Sequence, residues 1–157
     1  PVAFPRLRTP THPHIRMLPP DLATFVEESA SLDKLTRTML LLDYADRLGT
    51  YPDDAQDERH RVRGCTSLVY LHADYDADTD AMRYHGFADA QIVKGMVALL
   101  VRGLDGLPPR QIVARDPRFL KDAGLTEAHT ARHQSVLFNI RRRIQSEAEA
   151  VAEANNE

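Results

Sequence analysis

Apolar and polar positions alternate along this chain in two rhythms, one helical and one of period two. Pro19-Pro20-Asp21 opens a short first helix, with Leu22, Phe25 and Val26 at the spacing of a core-facing stripe. Ser31 is placed to cap a second helix whose Leu35, Met39, Leu42 and Ala45 form one stripe. Gly49 ends that helix and Pro52 enforces the stop. Asp53 to Glu58 is acidic and turn-like, and gives way to the basic His60-Arg61-Val62-Arg63. From Ser67 the period falls to two: Ser67, Val69, Leu71 and Ala73 face one way, and Leu68, Tyr70 and His72 the other. A polar loop from Asp74 to Asp80 leads to a second strand, Met82 to Phe87, and the short connection makes the pair an antiparallel hairpin.

The helical rhythm then returns. Asp89 is placed to cap a helix from about Ala90 to Leu104 that is apolar around most of its girth and is therefore expected to pack centrally on the sheet. Asp105-Gly106-Leu107-Pro108 stops it, Pro109 starts a short helix through Ala114, and Asp116-Pro117 turns the chain again. Thr130 caps a last helix with Leu137, Ile140, Ile144 and Val151 along one side. Helices, a small antiparallel sheet and further helices make the fold class α+β. No repeat or internal linker divides the chain. The expected organisation is a tail or leader remnant over 1–18, one domain over 19–152 and a short tail over 153–157.

Composition narrows the function classes. A chain of 157 residues buries roughly 68–70% of its unfolded surface, enough for a core without staples. The net charge of −3 argues against a nucleic-acid binder working by a bulk positive field. The longest apolar run, Met96 to Val101, falls far short of the roughly 20 residues of a membrane span. A single cysteine, Cys65, excludes an internal disulfide, a multi-cysteine zinc site and a cysteine-ligated iron–sulfur cluster built from this chain alone. A lone thiol suits a reducing compartment. The expectation is a cytoplasmic protein, or one of the plastid stroma if the Arg-containing, acid-free stretch 1–18 is what remains of a leader.

Cys65 is also the main candidate for chemistry. A free cysteine is commonly an inert, buried small hydrophobe. Against that reading, Arg61, Arg63 and His60 supply positive charge that favours a thiolate. Gly64 permits a tight backbone geometry before the sulfur, and a loop-to-strand junction can present a side chain to a partner. These features leave both readings standing. Known thiol chemistries fail on spacing. The arginine of a phosphatase loop would fall at Leu71, no Cys-x-x-Cys exists, and His85 or His133 could serve as a protease base only by accident of folding. Asp76, Asp78 and Asp80 hint at a calcium loop, but Ala81 and Phe87 stand where it needs Gly and Glu. His129 and His133 are four apart but lack a third ligand, and Arg141-Arg142-Arg143 reads as solvated helix surface. No metal-ligand set is assigned.

Taken together, the motifs resemble the SufE family of sulfur acceptors. Val62-Arg63-Gly64-Cys65-Thr66-Ser67-Leu68-Val69-Tyr70 is similar to the family's Val-x-Gly-Cys-x-Ser-x-Val-aromatic pattern. Gly86 to Gly95, the run Gly103-Leu104-Asp105-Gly106-Leu107-Pro108 with Ile112-Val113, and the opening Leu18-Pro19-Pro20-Asp21-Leu22 are further matches in order. The likeness runs from about Leu18 to Ile144. Phe87 departs from the pattern by replacing an acid, although Asp89 is kept. Thr130-Ala131-Arg132-His133 departs from the usual Thr-Pro-Ser-Arg, with His133 at the place of the Arg.

The resemblance implies a SufE/IscU-like fold and a carrier that takes persulfide sulfur from a pyridoxal-phosphate-dependent, SufS-type cysteine desulfurase onto Cys65. It would stimulate that enzyme and pass the sulfur to an iron–sulfur scaffold complex. Alternatives are an acceptor feeding another sulfur pathway, such as transfer RNA modification, and an adaptor regulating a desulfurase without covalent chemistry. The chain would need no cofactor of its own, since the pyridoxal phosphate belongs to the partner, and it would not turn over alone. Beside Cys65, the residues expected to support the thiolate or the partner are Arg61, Arg63, Gly64, Ser67, Asp89 and His133. Cys65 is expected to rest partly sheltered and to swing out on docking.

Overall fold

The computed structural model describes residues 19–115 and 131–156. Two helices come first, α1 (Pro20–Ser29) and α2 (Lys34–Ala45), and a 3-10 turn follows at Asp53–Ala55. The strands β1 (Val69–Asp76) and β2 (Ala81–Ala88) come next, then α3 (Gln91–Leu104), α4 (Pro109–Val113) and α5 (Ala131–Ala154). The α+β class is as expected. The last helix continues to Ala154, and the expected Asp116-Pro117 turn and Thr130 cap lie outside the described residues.

The hairpin follows from its alternation. Val69 and Leu71 on β1 and Met82, Tyr84, Gly86 and Ala88 on β2 are buried, while Asp74, Arg83 and His85 point to water. The pairing is antiparallel, from Val69 opposite Ala88 to Asp76 opposite Ala81. The aspartates of the connection act as turn-makers. Asp76 Oδ1 accepts from the backbone N–H of Asp78 (3.0 Å) and Thr79 (3.4 Å), and Asp80 adopts φ of +49° with its carboxylate held by the Tyr75 hydroxyl (2.7 Å).

The inner face of the hairpin packs on α3, whose Val93 and Met96 through Val101 are all buried. On its other side α3 meets α2 and α1, and α5 lays Val136, Leu137, Ile140, Ile144 and Ala148 into the same core. The Tyr84 hydroxyl, buried between sheet and helix, donates to the Ile144 carbonyl at 2.9 Å. Among the described residues no helix is long and apolar enough to cross a membrane.

Three local expectations are corrected. The cap of α2 is Asp33, whose carboxylate accepts from Thr36 N–H at 2.7 Å; Ser31 lies outside the helix, which ends at Ala45, before Gly49. The face of α2 that enters the core carries Leu41, Tyr44 and Ala45, with Tyr44 edge-on to Phe25 at 5.4 Å between ring centres. Leu35 and Met39 of the expected stripe are instead 72% and 58% exposed. Asp89 does not cap α3, whose N-cap is Ala90; its carboxylate is taken by the hairpin.

Helices α2 and α3 approach closely where Gly95 faces Leu41, and a β-carbon there would overlap the Leu41 carbonyl oxygen. Because that obstacle is backbone, Gly95→Ala is expected to lower stability by about 1–3 kcal/mol. Urea unfolding checks this; an unchanged midpoint would mean that the two helices separate freely.

Candidate functional site

The stretch carrying Cys65 is held at both ends before any partner is involved. The segment before it runs beside β1: Val62 N–H donates to the Val69 carbonyl (2.9 Å), Leu71 N–H to the His60 carbonyl (2.7 Å), and Arg61 bridges to Tyr70. Those bonds close a short loop between Val62 and Val69 with Cys65 at its middle. At the exit, Leu68 N–H donates to Asp89 Oδ1 (3.0 Å) and Asp89 N–H to the Leu68 carbonyl (3.1 Å). Asp89 thus carries the hairpin ladder one residue past its last strand pair and clamps the loop's end.

Within the loop, Gly64 has φ of +83°, in the left-handed region that glycine enters at little cost. Its Cα also lies so close to α5 that a β-carbon would sit 2.7 Å from Asn139 Nδ2. The side chain of α5 that faces Gly64 is therefore Asn139. His133, half-buried in the first turns of α5, is about 9 Å further along the helix axis and about 120° around it. Higher on α5, Arg143 donates to the Arg59 carbonyl at 2.6 Å and binds Glu147 at 3.0 Å, fixing the segment that leads into the loop.

Cys65 is half-buried against the core and opens on a groove of about 310 Å³ lined by Glu58, Arg61, Val62, Arg63 and Gly64. Arg61, Arg63, Gly64 and Cys65 are thus gathered in one place. Ser67 is half-buried two residues on, where the loop turns into the strand. Glu58 was not anticipated. It holds the Arg61 guanidinium at 3.5 Å, and its only trace in the sequence is an acid at the end of the acidic turn. Asn139 left no trace either, being one polar residue on an amphipathic helix.

The electrostatics of the thiol run opposite to expectation. Burial pushes Cys65 above the usual thiol range, and the Arg61 charge opposes this without overcoming it. The reason is physical: desolvation acts on the sulfur itself, whereas the guanidinium is partly exposed and shared with Glu58. The resting protein therefore holds Cys65 as a protonated, sheltered thiol.

The outer face of the hairpin beside this loop is aromatic. Phe87 packs against Tyr70 and Tyr51, at 5.9 and 6.3 Å between ring centres, which is where the apolar replacement of the family's acid goes. Burial, with Asp57 nearby, pushes the Tyr51 hydroxyl up to about 12.

Two outcomes follow. Removing the Arg61 charge leaves burial unopposed, so Arg61→Ala is expected to move the pH midpoint of alkylation at Cys65 still higher; a midpoint that stays or falls would show that the arginine does not act on the sulfur. Gly64→Ala forces a side chain into the left-handed region and against Asn139. The expected loss of about 1–2 kcal/mol in thermal unfolding comes with faster alkylation of a displaced Cys65.

Comparison with known proteins agrees with this architecture. The SufE family model, described as an Fe-S metabolism associated domain, matches residues 23–148. An uncharacterized SufE-like protein of Synechocystis is 39% identical over 132 residues, covering 83% of this chain and 82% of its own. The cysteine desulfuration protein SufE of Plasmodium falciparum is 28% identical over 101 residues, covering 62% of this chain and 41% of its own. A hypothetical protein of Thermus thermophilus solved in solution superposes with a TM-score of 0.72 at 29% identity, over 87% of this chain and 99% of that one. With the family model spanning most of its length and the cysteine motif set in the same fold, the chain belongs to the SufE family.

Proposed function

We propose that this protein is a sulfur carrier in which Cys65 accepts persulfide sulfur from a SufS-type cysteine desulfurase and delivers it to an iron–sulfur scaffold complex. Family membership supports the coarser part, a sulfur acceptor working with a cysteine desulfurase. The observation that carries the finer part is the single thiol of the chain, held half-sheltered in a clamped loop that opens on a groove.

The transfer would run as thiol–persulfide exchange. Cys65 loses its proton to solvent and attacks the outer sulfur of the persulfide on the desulfurase. The sulfur–sulfur bond there breaks, its electron pair leaves with the enzyme's own cysteine sulfur, and a new sulfur–sulfur bond forms on Cys65. No net oxidation takes place. Attack on the inner sulfur would trap a mixed disulfide instead, so docking has to fix which sulfur is reached. The raised pKa of the resting thiol gives docking a second task. Drawing the loop into a more polar surface removes the burial that holds the proton on, so the nucleophile is made where the donor is. Arg61 and Arg63 at the groove's rim then face an anionic persulfide.

In this reading the protein stimulates its partner and has no turnover alone, needs no cofactor of its own and works in a reducing compartment. The cytoplasm is the simplest such home.

The test is intact-mass spectrometry after incubation with a SufS-type desulfurase, pyridoxal phosphate and L-cysteine. The expected result is gain of sulfur on the chain, removed by dithiothreitol and absent in Cys65→Ser. An active, matched desulfurase that leaves the mass unchanged would overturn the carrier role, and stimulation surviving in Cys65→Ser would favour a non-covalent adaptor.

A further inference from the structure

Away from the thiol, the outer face of the hairpin gathers three groups that no part of the carrier reading uses. Period two puts His72 and Asp74 of β1 on the same face, and the register puts His85 of β2 directly opposite His72. The two imidazoles stack with ring centres 4.9 Å apart, and His85 Nε2 lies 3.2 Å from Asp74 Oδ2. One donor atom from each of the three side chains falls within 4.8 Å of the other two.

We propose that His72, Asp74 and His85 form a binding site for a divalent ion of the zinc class, with its remaining coordination position open to solvent. Two imidazoles and one carboxylate are the donor set of open zinc sites, in which ligand atoms lie about 3.4 Å apart around an ion about 2.0–2.2 Å from each. The Asp74–His85 pair already has that spacing. Small rotations of the exposed Asp74 and His85 side chains supply the rest.

The surroundings support ligation. His72 Nδ1 is 2.7 Å from the Tyr51 hydroxyl, which in turn donates to the Ala55 carbonyl at 3.3 Å. With Nδ1–H directed to Tyr51, the lone pair of His72 falls on Nε2, the orientation that a hydrogen-bonded second layer gives to metal-binding histidines. Arg83, opposite Asp74 in register, would compete for its carboxylate, but its guanidinium is drawn to Asp105 (3.5 Å). An ion here would pin β1 to β2 at mid-hairpin.

The test uses the full chain carrying Cys65→Ser, so that thiol ligation cannot contribute, and follows Zn2+ binding by calorimetry. The expected result is one saturable site, weakened at least about tenfold by His85→Ala and by Asp74→Asn. Both altered residues are solvent-exposed, and circular dichroism confirms that the variants fold. Co2+ in place of Zn2+ is expected to give visible bands that His85→Ala removes. Zinc binding that is indifferent to both substitutions would place the ion elsewhere on the chain and overturn the proposal. So would the absence of saturable binding in Cys65→Ser. Sulfur loading of His85→Ala measured by mass keeps this outcome separate from the carrier function, which the substitution is expected to leave intact.

Discussion

The burial of α3 is the constraint on which the other elements depend. Ten of its fourteen residues are withdrawn from water, so it must be covered on nearly every side. The hairpin covers one flank, α2 and α1 another, and α5 closes a third. Each cover sets something that matters for the thiol. The hairpin provides the strand edge to which Val62 is tied, its last pair sets Asp89 opposite Leu68, and α5 brings Asn139 against Gly64. Cys65 itself makes only a small contribution to this core. Its position is inherited from the packing of a helix that begins 26 residues later.

What the sequence made legible was what local period encodes. Alternation from Val69 onward and again before Phe87 specified the hairpin, and the unbroken apolar character of α3 specified its central place. The cysteine motif could be placed on a loop-to-strand junction for the same reason. The reading failed where a local pattern admits two answers and a distant contact chooses between them. Helix α2 has apolar residues on two faces, and either could have entered the core. The edge contact of Tyr44 with Phe25 and the close approach at Gly95 select Leu41, Tyr44 and Ala45, leaving Leu35 and Met39 outside. Asp89 stands where a helix cap belongs, yet the strand register gave its carboxylate a backbone partner across the hairpin.

Charge reading failed for a related reason. Arginines near a cysteine lower its pKa on balance only where their charge outweighs the burial of the sulfur, and depth is not written in a local motif. Here half-burial prevails. The histidine cluster was invisible in the same way: His72 and Asp74 lie close in sequence, but the third member comes from the other strand, and nothing short of the register joins them.

The buttress of Asn139 against Gly64 joins positions 75 residues apart, and this sets an order of events during synthesis. At about 5–20 residues per second the ribosome needs roughly 4–15 s to travel between them. Throughout that interval the nascent chain carries its only thiol on a loop whose helical wall does not yet exist. The loop around Cys65 therefore reaches its final support only when α5 has been made and closes Asn139 against Gly64.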